Sequence, residues 1–362
     1  MIFDRRNFLK FSLALGLTPL VGGAQAAGTP RFFLTPGRWG DEYALFSLDR
    51  SGALGFSIPL PSRAHGVTFS PVGGMAVVVA RRPDDWLMLF DPTTGRMHAR
   101  IRAGSARHFY GHAAFSADGA KLYVTANDLR EERGLILVYD MVDGFRKCAE
   151  WDSGGLGPHE VLWAEDRLAV CNGGMLTRPE TGRAALNLAD MRPNLSLLDA
   201  NDGAVRRRME LPAQWRLASI RHLTRLAGGV WVTGLQFQGD SRGQSPLLAI
   251  CRDDRRLQPL WAPADVQRRL KDYIGSVRAD CGGEFFAATA PRGNRVMVCS
   301  REGMLVDVHK IRDVCGVAAL DRPGAWLLSD GGGGVYRLSL ERGVENLASY
   351  ADRIRWDNHI GL

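Results

Sequence analysis

Short apolar or alternating runs of four to six residues recur along the chain, each closed by a turn rich in Gly, Asp or Pro. That is the spacing of strands, not of helices. One unit starts at His65-Gly66-Val67-Thr68-Phe69, continues through residues 75–80 and 86–90, turns at Asp91-Pro92-Thr93-Thr94-Gly95 and ends with 97–101. A second starts at Gly111-His112-Ala113-Ala114-Phe115 and runs through 121–126 to 135–139. Each unit holds four strands, A to D. Further A strands begin near Pro158-His159, Arg221-His222, Ile274-Gly275, Cys315-Gly316 and Asn358-His359. Seven such units predict an all-β fold, a seven-bladed β-propeller. Residues 32–34, 43–48 and 56–60 read as strands B, C and D with no A strand, whereas 358–362 reads as an A strand with nothing after it. The two ends are therefore expected to complete one blade, which would close the ring and remove its free sheet edges. The one convincing helix, residues 264–273, falls in a connection.

The first 26 residues stand apart from this period. Asp4-Arg5-Arg6-Asn7-Phe8-Leu9-Lys10 precedes an apolar stretch at 11–21 and the small-residue cleavage pattern Ala24-Gln25-Ala26. This reads as an export signal, and the paired arginines read as a twin-arginine signal, which serves cargo exported already folded. Eleven apolar residues are too few to cross a bilayer as a helix, so no membrane span is expected after cleavage. The expected mature part, residues 27–362, is one propeller domain in the periplasm. Its 336 residues give 48 per blade.

Composition narrows the function. The chain is 45% hydrophobic and 23% charged, which excludes a disordered segment, and its 42 glycines suit many tight turns. The formal charge of +7 rests almost wholly on Arg, with five Lys, and no basic run exceeds Arg206-Arg207-Arg208. No nucleic-acid partner is expected. The six cysteines form no C-x-x-C-H, which excludes covalent c-type haem, and no C-x-x-C of a zinc ribbon. A chain of this size needs no disulfide, and none is assigned.

In a propeller the start of every A strand and the end of every B strand lie on one face of the disc. The polar, non-repeating segments of this chain gather at those positions. B strands end in Asn127-Asp128, Asn172-Gly173-Gly174, Gln236 to Asp240, Pro291-Arg292-Gly293 and Asp330-Gly331-Gly332; A strands begin with Arg107-His108-Phe109-Tyr110-Gly111-His112, Pro158-His159-Glu160, Arg221-His222 and Asp357-Asn358-His359. Five of the eight histidines, His65, His112, His159, His222 and His359, lie at A-strand starts, near the channel mouth. Imidazoles converging with Glu160, Asp128 and Asp330 form a nitrogen and oxygen donor set that suits iron, copper or zinc. His112, His159, Glu160, His222 and His359 are the expected metal ligands. Arg107, His108, Tyr110, Asn127, Asp128, Asn172, Arg221, Gln236, Asp240, Arg292, Asp330 and Asp357 are the expected ligand-binding residues around them. Metal affinity is expected to fall as the pH drops through roughly 6.5, the ordinary imidazole value. The competing reading is that these side chains only hydrogen-bond buried backbone ends and line a water-filled channel. An insertion between Gly174 and Asn194 rises on the same face with Arg178, Arg183 and Asn187, and reads as a lid, a partner contact or a plain surface loop.

The segments around His108, His159, His222, Gln238, Cys315 and His359 together resemble a family of exported bacterial proteins known only as a domain of unknown function. The resemblance implies a seven-bladed propeller with a twin-arginine signal. It also implies a setting beside imelysin-like periplasmic lipoproteins and a di-haem or thiol-oxidoreductase-like protein, in clusters linked to iron acquisition. It supplies no catalytic residues.

Three readings stay open. The first is a non-catalytic periplasmic protein that binds iron, copper or a ligand carrying them. The second is a metal-assisted hydrolase or oxidoreductase with Glu160 or a histidine as base, although no nucleophile elbow is present. The third is a protein-binding platform using Trp and Arg on the loop face.

Overall fold

The computed structural model describes residues 32–182 and 184–361. The expected export signal with Arg5 and Arg6, and also Arg183 and Leu362, lie outside the described residues. Seven four-stranded antiparallel sheets form the ring of a seven-bladed β-propeller. In chain order the blades are I (residues 32–59 with 354–356), II (64–102), III (107–152), IV (158–210), V (218–260), VI (276–310) and VII (314–349). Their innermost strands are Ile354–Trp356, Ala64–Phe69, Arg107–Phe115, Pro158–Ala164, Ala218–Arg225, Ser276–Ala279 and Val314–Ala319.

The apolar side chains fall into seven buried clusters, and each cluster bridges two neighbouring blades. Val77 and Leu89 of blade II, for instance, pack on Phe109, Leu122 and Leu137 of blade III. Both faces of the middle strands are thus covered, which is why Ala76–Ala80 and Trp86–Phe90 read as continuous apolar runs. Stability resides in the seven interfaces, and the axis of the ring is left to polar side chains.

The ring closes by pairing the two chain ends in blade I. The regular pairing is Ile354–Trp356 against Gly37, Arg38 and Trp39, four residues upstream of the inner strand expected at 358–362. Beyond Trp356 the chain keeps contact through Asp357 N–H to the Pro36 carbonyl at 2.8 Å and the bridge between Leu34 and Gly361. Thr35 Oγ1 donates to the His359 carbonyl at 3.2 Å, so the irregular stretch is held where it carries its histidine. Trp356 packs edge-on against Phe46 and Tyr350, and the Tyr350 hydroxyl donates to the Gly52 carbonyl at 2.8 Å.

The helix is shorter than expected: it spans Ala264–Arg269 and is stopped by Lys271 and Asp272, both in left-handed backbone. Among the described residues no helix is long and apolar enough to cross a membrane. All six cysteines are unpaired.

Candidate metal centre and cavity

The inner strands do not run straight past the channel. Register against the neighbouring strand breaks between Ala64 and Val67 in blade II, Phe109 and Ala113 in III, Pro158 and Val161 in IV, Ile220 and His222 in V, and Val314 and Gly316 in VII. Each break is a bulge, which re-aims side chains that a regular pleat would send into the sheet. His65, His112 and His159 sit inside the breaks, and His222 ends one. Gly111 makes the closest approach possible. Its φ is +106°, and a Cβ there would lie 2.4 Å from the His65 ring, so only glycine fits.

The five rings converge on the axis, and all are at least nine-tenths buried. His65, His159, His222 and His359 form a four-sided collar with successive centroids 5.2, 4.9, 5.2 and 4.5 Å apart. His112 meets every member of it, at 4.9, 4.8, 6.3 and 4.8 Å in the same order. Two triads result, His65, His112 and His359, and His112, His159 and His222. Within each, one ring nitrogen per residue lies within 4.8 Å of the others. A tetrahedral ion bound at 2.0–2.1 Å would set nitrogens about 3.4 Å apart, so the side chains need only small movements to close on it.

Their hydrogen bonding is incomplete. His65 Nε2 and His159 Nε2 face each other at 3.4 Å. His65 Nδ1, His112 Nε2, His159 Nδ1 and His359 Nε2 are buried with no partner, each costing about 1–3 kcal/mol if left so. Burial first, and neighbouring imidazoles second, push His65, His159 and His359 well below the ordinary histidine value. Burial lowers His112 to about 4. These four rings are therefore neutral and available as ligands at neutral pH.

A second layer fixes their orientation. Glu160 Oε2 lies 3.3 Å from His222 Nδ1 and accepts the Leu223 N–H at 3.1 Å. Burial would raise this carboxyl, but the His222 hydrogen bond and the charges around it hold it below its ordinary value. Glu160, expected as a ligand, is thus spent on His222 and belongs to neither triad; a carboxylate in that position sets the tautomer of a ligating imidazole. Ser276 Oγ lies 3.2 Å from His359 Nδ1. Thr125 Oγ1 sits 3.0 Å from the His112 carbonyl and 3.2 Å from that of His159, and Cys171 Sγ points at the His222 carbonyl.

Above the collar opens a cavity of about 460 Å³, with His65, His159 and His222 in its lining. Arg81, Arg82, Arg221 and Arg292 also line it, and no Asp or Glu does. Tyr110 stands between Arg82, whose Nη1 donates to its hydroxyl at 3.1 Å, and Arg221, whose guanidinium lies 6.0 Å from its ring. Burial alone would raise this phenol; Arg221 and Arg82 outweigh it and hold it below its ordinary value. The insertion supplies one wall through Met175, Ala185 and Leu188. Asn187 pins it, its carbonyl oxygen taking the Leu176 N–H and its amide donating to the Gly174 carbonyl.

Of the ligand-binding residues expected from sequence, Tyr110, Arg221, Gln236 and Arg292 line the cavity. His108 is buried beneath, stacked 5.9 Å from Tyr110. Asp357 holds two arginines, Arg63 at 2.5 Å and Arg81 at 3.3 Å. The others do not join. Asp128 and Asp330, expected to converge with the histidines, are taken up locally: Asp128 caps the N–H groups of Arg130 and Glu131 and pairs with Arg107, and Asp330 accepts from Gly332, Gly334 and the Tyr336 hydroxyl. Arg107 is further held by Glu150. Asn127 is buried away from the cavity lining. Asn172 is bonded to Ser153 and Asn194 at the base of the insertion. Asp240 caps Arg242 in an exposed turn.

His65, absent from the expected ligand set, stands in the collar, and Arg81 and Arg82 line the cavity although neither was expected there. The signal was available: both arginines directly follow the B strand Ala76–Ala80, the same position that singled out Asn127, Asn172 and Arg292.

Comparison with known proteins agrees with the fold. A family model described as "Protein of unknown function (DUF1513)" matches residues 58–362. No curated protein matches the sequence. Among solved structures, a chain of Kuenenia stuttgartiensis hydrazine synthase superposes with a TM-score of 0.60 at 14% identity, covering 92% of this chain and 100% of that one. The structure of U3-55K gives 0.60 at 11% identity over 80% and 82%. At such identities the likeness is one of fold alone.

Proposed function

The chain belongs to this family of proteins of unknown function, and from that premise we propose that it binds one transition-metal ion on the channel axis through His112 and two or more of its four neighbours. The observation that carries the reading is the cluster of buried imidazoles itself: in each triad one ring nitrogen per residue lies within 4.8 Å of the others, and four ring nitrogens of the cluster have no hydrogen-bond partner. A purely structural role would leave those groups at a standing cost that a ligand removes. An imidazole donor set suits copper, iron and zinc; by the general order of divalent affinities Cu(II) binds tightest, with Fe(II) weaker. With the export signal and the setting that the family resemblance implies, the site works in the periplasm as an accessory to iron acquisition, beside imelysin-like and di-haem proteins. A metal-assisted enzyme is the second reading, favoured by one observation: the Tyr110 phenol, flanked by Arg82 and Arg221, opens onto the same cavity as the collar.

Titration of the chelator-treated mature protein with Fe(II), Cu(II) and Zn(II), repeated with His159→Ala and His222→Ala, tests the proposal. One ion per chain, with affinity reduced in both variants, is expected. No binding, or equal binding in all three proteins, returns the histidines to a structural role.

A further inference from the structure

We propose that the cavity above the collar is a binding site for an organic carboxylate, seated on the guanidinium of Arg221 with Arg82, Arg292 and the Tyr110 hydroxyl around it. Arg221 is 7% exposed and takes part in no ion pair among those found in the described residues. Its Nε has no hydrogen-bond partner, its Nη2 meets the thioether of Met175 at 2.9 Å, and Tyr110 stands beside it. A buried guanidinium flanked by a thioether and a phenol, with no carboxylate against it, keeps donors to spare, since they are arranged to take a carboxylate in pairs. A Cβ on Gly173 would lie 3.3 Å from its Nε and Cζ, so the Gly173 backbone packs close against the guanidinium on that side.

The surroundings select the ligand's sign and body. Arg292, exposed at the rim, stacks 4.3 Å over Tyr273, and with no acidic side chain in the lining an anion meets attraction throughout. Met175, Leu188, Phe237 and Tyr273 give the same walls an apolar share, which a bare inorganic ion would leave unused and an organic body would cover. The volume of about 460 Å³ is that of a small-molecule site. The collar forms part of the lining, so a carboxylate held by Arg221 would stand next to whatever the histidines bind. The site nevertheless rests on different residues from the metal proposal and does not require it.

The test is calorimetric titration of the chelator-treated mature protein with citrate, benzoate and inorganic phosphate at low ionic strength, followed by the same titrations of Arg221→Gln and Arg292→Gln. Saturable binding of a carboxylate is expected. Loss of the Arg221 guanidinium should weaken it about tenfold to a hundredfold, the worth of charge-assisted hydrogen bonds. Arg292→Gln, a rim substitution outside the fold's core, should weaken carboxylate binding several-fold and leave the metal titration unchanged, which separates this site from the collar. Phosphate bound in preference to either carboxylate, no saturable anion binding, or binding that both variants retain unaltered would overturn the proposal.

Discussion

Blades I to V and blades VI and VII share one architecture, yet only the first five bring an imidazole to the axis. In blade VII the inner strand breaks register as those of blades II to V do, but the residue in the break is Cys315. In blade VI the strand runs regularly from Ser276 paired with Thr289. The ring closes equally well through all seven interfaces, so the fold itself does not call for histidine at the axis. Cys315 belongs to neither group of converging side chains, and burial first, then the charge of Asp357, pushes its thiol far above the ordinary value. Five blades thus carry a chemistry that the other two show to be dispensable for folding.

Several measurements can break or sharpen that contrast. The largest effect belongs to His112, the only residue in both triads: His112→Ala should lower metal affinity by more than the ten- to hundredfold typical of outer-layer changes, and Cu(II) titration reads it directly. Glu160→Gln should fall within that ten- to hundredfold range, because it disturbs the tautomer of His222 and removes no ligand. The pH dependence of metal binding comes next. Burial lowers His112 to about 4, so metal affinity should hold as the pH falls through 6.5 and decline only towards 4, whereas ordinary imidazole ligands would lose it through 6.5. In the metal-free protein the unfolded chain takes up protons near 6.5, while His65, His112, His159 and His359 in the folded protein do not. Stability is therefore full above that pH and is lost on acidification towards 4, by up to about 1.4 kcal/mol per pH unit for each depressed histidine; melting temperatures between pH 7 and 4 check this. Cys315→Ala should give the smallest change, leaving metal affinity where it was, since blade VII contributes no ligand.

The sequence carried the fold well because strand period and turn chemistry are local properties, repeated seven times. It also placed the five histidines on one face, since strand direction alone determines that. What it did not carry depends on short-range competition. An aspartate at a strand end is readily captured by N–H groups a few residues on, as Asp128 and Asp330 are, and no spacing rule separates such an acid from a ligand. Glu160 looked like a ligand because it adjoins His159, whereas the bulge that spans both residues turns its carboxylate back to His222. The closing strand began four residues early because Trp356, packed on Phe46, outweighs the apolar pattern at 358–362.

The central claim, that at least three of the axial imidazoles bind one ion, is tested most directly by X-ray absorption spectroscopy of the metal-loaded mature protein. The account predicts at least three imidazole nitrogens at about 2.0–2.1 Å from the ion and no sulfur, with the imidazole signal reduced in His112→Ala. A first shell of oxygens alone, a sulfur ligand, or a spectrum that His112→Ala leaves unchanged would contradict it.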